Sequence, residues 1–101
     1  MLIFLLLLIS IHPNVADAFH PFVDNLVNFI RVLSADKTID ESVFRNAVGA
    51  IGDLAHVYGA KVRPLLAQDF ITKMVNEAYK SSDEDIKTIG DFAKKELKRI
   101  Q

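Results

Sequence analysis

The chain has 101 residues, a formal charge of −1 and no cysteine. That length fits one small domain or a piece of a larger protein. The near-balanced charge gives no whole-chain field for nucleic acid, and the lack of cysteine excludes disulfide frameworks and thiolate zinc sites.

Met1 to Ile11 is apolar apart from Ser10, with four leucines from Leu5 to Leu8. The run is too short to cross a bilayer as a helix. Polar residues and a small-x-small step, Ala16-Asp17-Ala18, follow it, as in a secretory signal, although no Lys or Arg precedes it. The other reading is the buried end of a helix belonging to a preceding repeat. Residues 1–18 are thus set apart as an apolar leader, and 19–101 are expected to form two helical hairpins.

Four helices are predicted, at about 19–33, 42–58, 69–80 and 83–99. In the first, Phe22, Val23, Leu26, Val27, Ile30 and Leu33 share one stripe at helical spacing. Asp40 or Thr38 can cap the second, which Gly59 ends. Its expected buried face is Val43, Phe44, Ala47, Val48, Ile51, Leu54, Ala55 and Tyr58; Arg45, Asn46, Gly49, Asp53 and His56 lie opposite. Pro64 starts or kinks a helix, and Asp69 can cap the third, which turns Phe70, Ile71, Met74, Val75, Ala78 and Tyr79 inward. Ser82 with Asp85 resembles a capping box for the fourth. That helix sends Ile86, Ile89, Phe92, Ala93, Leu97 and Ile100 inward and Lys87, Asp91, Lys94 and Lys98 outward.

Two echoes tie these helices together. Ile51-Gly52-Asp53-Leu54-Ala55 returns 38 residues later as Ile89-Gly90-Asp91-Phe92-Ala93. Phe22-Val23-x-x-Leu26-Val27-Asn28 returns as Phe70-Ile71-x-x-Met74-Val75-Asn76, at an offset of 48. A helical repeat of about 40 residues is the mark of a HEAT- or armadillo-type α-solenoid, here with about two repeats. Glycine inside a helix costs about 1 kcal/mol relative to alanine, so Gly52 and Gly90 point to close approach between helices.

No catalytic constellation emerges. None of His12, His20 and His56 has a second ligand at metal spacing on its own helix. His56 stands one turn from Asp53, as a solvated pair rather than a catalytic dyad. Asp83-Glu84-Asp85 lacks the alternating oxygen ligands of a calcium loop and sits where a helix N-terminus favours negative charge. The expectation is a non-enzymatic protein without cofactor.

From Phe19 onward the chain resembles the C-terminal end of importin beta, the HEAT-repeat nuclear import receptor family. The resemblance rests on Pro21-Phe22-Val23-x-x-Leu26-Val27-x-Phe29-Ile30, the loop ending Ile39-Asp40-Glu41, the run Ala47 to Ala55 with Tyr58-Gly59, and the tail Lys87 to Arg99. It implies a protein-interaction scaffold of cytoplasm and nucleus that binds the basic N-terminal segment of importin alpha or similar basic cargo. It also implies that most Ran and nucleoporin sites lie in repeats outside this stretch. Under it, Asp53 and Asp91, at equivalent places in the two repeats, become partner contacts or else ladder residues bonding neighbouring helices. Asp40 and Glu41 add acid at the loop, or merely cap the second helix. No nucleic-acid partner is expected, and a membrane only if the leader is a signal. The competing reading is a small secreted helical protein, cleaved after Ala18, that binds an apolar ligand or partner.

Overall fold

Asp40 fixes the start of the longest helix: its carboxylate accepts a hydrogen bond from the Ser42 amide at 3.3 Å, satisfying one of the N-terminal donors that a helix leaves orphaned. Thr38 does not cap; its amide and hydroxyl both donate to Asp36, at 2.8 and 2.6 Å, and tie the preceding loop. The structure, a computed structural model, describes residues 20–100. The expectations for the apolar leader, for His12 and for cleavage after Ala18 lie outside those residues.

A 3-10 turn, His20–Phe22, leads into α1, Val23–Ala35. This helix buries Val23, Leu26, Val27 and Ile30 as its spacing predicts. Phe22 departs from the predicted stripe and is 56% exposed, because the tighter 3-10 turn rotates it out of α-helical register. Next, α2 spans Glu41–Tyr58 and ends at Gly59, whose φ of +58° is natural only to glycine. It is buried around most of its circumference from Ala47 to Ala55. Gly49 is therefore buried and Asp53 half-buried, not on a solvated face as expected, while Val43, in the first turn, is exposed rather than packed.

A second 3-10 turn, Gly59–Val62, and a short helix α3, Arg63–Leu66, cross to the second repeat. Pro64 falls in the first turn of α3, so it starts that helix and kinks none. In α4, Asp69–Tyr79, Ile71, Met74, Val75 and Ala78 are buried. Gln68 holds the N-cap position without a side-chain cap bond, and Asp69 is the first helical residue, where its charge meets the positive helix end. In α5, Glu84–Arg99, the cap is Asp83 and not Ser82. The Asp83 carboxylate accepts from the Asp85 and Ile86 amides at 2.9 and 3.2 Å, a better acceptor one residue nearer the helix.

The closest helix approaches are α2 with α5 and α4 with α5, and α1 lies nearer to α3 and α4 than to α2. First helix therefore stacks on first helix and second on second, as in an all-α, HEAT-type α-solenoid; the pair α4/α5 is closely packed, whereas α1 is held to the rest through α3 and α4 more than through α2. No strand occurs among the described residues. The repeat is not perfect in burial. Ile51 is fully buried, whereas its counterpart Ile89 is only half-buried and Phe92 is 38% exposed, because α2 is packed on more sides than α5.

Candidate protein-interaction surface

The seam between α2 and α5 carries the polar groups that the repeat places side by side. At its C-terminal end His56 Nδ1 stands 3.0 Å from Glu96 Oε2. A carboxylate can only accept here, so Nδ1 is the donor. Glu96 Oε1 accepts from Arg99 Nε at 2.9 Å, and Arg99 Nη2 reaches the Ala55 carbonyl of α2 at 3.2 Å and that of His56 at 3.4 Å. Arg99 thus adds a second donor to the Ala55 carbonyl, which already accepts from the Gly59 amide, and also serves the His56 carbonyl at the end of α2. Burial acts to raise the Glu96 carboxyl, but the hydrogen bonds from Arg99 and His56 and their charges outweigh it and hold the group below the usual range. Glu96 and Arg99 are absent from the residues singled out by sequence. The signal was there: Glu96 falls between Ala93 and Ile100 on the inward stripe of α5.

Asp53 and Asp91 do not bond across this seam. Asp91 pairs with Lys95 on its own helix, Oδ2 to Nζ 2.9 Å. Asp53 has one carboxylate oxygen, Oδ2, buried without a hydrogen-bond partner. Burial pushes its carboxyl up to about 6, with His56 one turn away pulling in the opposite direction. His56 does not form the expected solvated pair with Asp53, because Glu96 holds its ring. The cross-helix bonds that a ladder would supply come from His56, Glu96 and Arg99 instead.

Asp40 and Glu41 belong to a different place. They lie at the start of α2, roughly 18 Å along the helix axis from Asp53. There Asp40 and Glu41 line a small hollow of about 200 Å³ with Asp83, at the start of α5, and Ser42, Arg45 and Ile86. Glu41 also borders a larger groove of about 870 Å³ between the α1–α2 loop, α4 and the start of α5. Its floor includes Phe44, Phe70, Met74 and Ile86, and its edge carries Asp36, Lys37, Lys73 and Glu77. Of the four sequence-predicted acids, only Asp40 and Glu41 are brought together, and Asp53 and Asp91 stand apart from them along α2 and α5. The signal for the groove was partial: Phe44 and Phe70 were expected to be fully inward, and both are half-buried at its floor.

Among the described residues no group of three or more His, Asp or Glu is placed to hold a metal, and no helix is long and apolar enough to cross a membrane. What the surface offers is charge and shape along stacked helices. It defines a helical-repeat scaffold of the solenoid class. The sequence model of the family "Importin subunit beta-1-like, TPR repeats" matches residues 8–79, and the chain belongs to that family. The match begins inside the apolar leader, earlier than Phe19, and stops at the end of α4. Importin subunit beta-1 of Arabidopsis thaliana is 34% identical over 80 residues, covering 78% of this chain and 9% of that protein. Importin subunit beta-1 of Schizosaccharomyces pombe is 27% identical over 88 residues, 85% of this chain and 10% of that protein. The chain spans about a tenth of the length of these curated relatives.

Proposed function

We propose that this helical-repeat region is a non-enzymatic interaction scaffold of nuclear import, working in cytoplasm and nucleus, that binds a basic segment such as the N-terminal segment of importin alpha or a similar cargo sequence. Its contacts are Asp53 and Asp91 along the stacked α2 and α5, with Asp40 and Glu41 at the start of α2. One observation carries the reading: neither Asp53 nor Asp91 is used to bond the two helices to each other. Asp53 has no bonded cation, and Asp91 holds only an exposed lysine of its own helix, a pair that an incoming arginine can displace at little cost. The importin membership of the family agrees with it.

Two repeats offer a fraction of the surface that a long solenoid presents, so affinity for an isolated basic peptide is expected to be on the order of micromolar or weaker. Attraction between exposed charges fades as salt shortens the Debye length, so binding falls steeply from low to high salt. The test is titration of the chain, at pH 7.5, with an importin-alpha N-terminal peptide at two salt concentrations. The double variant Asp53→Asn, Asp91→Asn keeps shape and removes charge; it should bind more weakly with unchanged helicity. No binding at low salt, or equal binding by the variant, removes these two aspartates from the contact surface.

A further inference from the structure

The geometry points to the 870 Å³ groove as the seat of an apolar anchor residue carried within a basic segment; this rests on the proposed function and names what that partner must contain besides charge. The floor and the rim make different demands. Phe44 and Phe70 are half-buried aromatic side chains over the buried Met74 and Ile86, so the floor presents apolar surface that an aliphatic or aromatic side chain can cover. The rim carries three carboxylates, Asp36, Glu41 and Glu77, against two amines, Lys37 and Lys73. Glu41, Glu77, Lys37 and Lys73 make no ion pair with any other described residue, so their charges remain free for a partner. The hollow beside Glu41 adds Asp40 and Asp83 against Arg45, which extends the acidic excess along the path leading out of the groove.

A purely apolar ligand would leave those carboxylates unused, and a purely basic one would leave the aromatic floor wet. An apolar residue flanked by lysine or arginine satisfies both. The two rim lysines set a limit on density: a continuous run of cations would meet Lys37 and Lys73, so the favoured partner spaces its basic residues on either side of the anchor.

The experiment uses the full chain and two synthetic peptides of identical length and charge, rich in lysine and arginine, one with a central leucine and one with a central serine. The leucine peptide should bind about tenfold tighter, the difference that burying one such side chain supplies. That preference should survive high salt, because apolar burial is not screened, while the affinity of both peptides falls. Amide and methyl shifts on binding should fall on Ile39, Phe44, Phe70 and Ile86. Glu41→Lys with Glu77→Lys, both exposed positions, should weaken both peptides while the chain stays folded. Phe44→Ala, which removes apolar surface from the floor, should shrink the leucine preference while leaving the serine peptide's affinity unchanged. Equal binding of the two peptides overturns the anchor site but leaves the acidic contact surface standing; binding of neither at low salt overturns both. Concentration-dependent dimerisation abolished by the charge reversals assigns the groove to a second copy of the chain and overturns the anchor.

Discussion

Gly52 of α2 lies under the ring of Phe92 of α5: a β-carbon added to Gly52 would stand 2.5 Å from Phe92 Cε2 and 3.2 Å from the Ala93 Cα. Gly90, its neighbour in the second copy of the repeat motif, faces the other way. A β-carbon there would meet the backbone of α4, at 2.5 Å from the Tyr79 nitrogen and 2.7 Å from the Ala78 carbonyl carbon. One glycine lets α2 approach α5, and the other lets α5 approach α4.

These two glycines should tolerate alanine unequally. The ring over Gly52 is 38% exposed and can swing aside, so the helix-propensity gain of about 1 kcal/mol offsets much of the clash in Gly52→Ala. The atoms against Gly90 are backbone and cannot yield without separating two helices. Gly90→Ala is therefore expected to cost about 2 kcal/mol net, Gly52→Ala less than about 1. Urea unfolding of the two variants checks it, and equal or inverted penalties would show that the seams are looser than the structure has them.

The cap of α5 gives a second test. Asp83→Ala removes two hydrogen bonds to the first turn and should cost about 1 kcal/mol, whereas Ser82→Ala should be within a few tenths of neutral. Thermal unfolding of the pair separates them. If Ser82→Ala proved the costlier change, the cap would belong to the capping box read from the sequence.

Helix positions and the repeat were legible in the sequence because apolar spacing and turn residues are local signals. All four long helices fall within a few residues of expectation, and the shared motif marks equivalent seams. What was not legible depends on neighbours. Ile51 and Ile89 have the same sequence context but different burial, since α2 and α5 have different surroundings. Asp53 reads as a surface acid by helical phase, yet the packing around α2 takes one of its oxygens out of water. The burial of Glu96 follows from its place on the inward stripe of α5, but its bond to His56, 40 positions earlier, is a pairing that no periodicity specifies.

Asp53 should make stability depend on pH. Its folded carboxyl titrates at about 6, above the ordinary aspartate value near 3.8. The folded state thus holds that proton more tightly than the unfolded chain. Ionisation then opposes folding, from a pH near 4 upward, with the full penalty present above about 6. Asp53→Asn should consequently stabilise the chain at pH 7.5 by on the order of 1 kcal/mol, after allowance for solvent screening at a half-exposed site, and add nothing at pH 3. Denaturant melts at the two pH values check it. The same variant is expected to bind a basic segment less well. Stability gained with affinity lost is the pattern of a contact residue rather than of a structural one.

Glu96 should show the opposite dependence. Its folded carboxyl lies below the usual glutamate range, so the ionised form favours folding. That contribution is complete above the ordinary glutamate value and disappears as pH falls through the lower folded value. Glu96→Gln keeps the shape but weakens two charge-assisted contacts, to Arg99 and His56, and should cost about 1 to 2 kcal/mol at pH 7. Wild type and variant should converge in acid, where Glu96 is itself neutral. The damage should also be local. With Arg99 less firmly held, the carbonyls of Ala55 and His56 lose a donor, and the last turn of α2 should exchange its amides faster than the middle around Ile51. Hydrogen exchange on the variant reads this directly. Faster exchange spread evenly over α2, or a stability loss independent of pH, would mean that Glu96 acts through packing and that its charge does not join the two repeats.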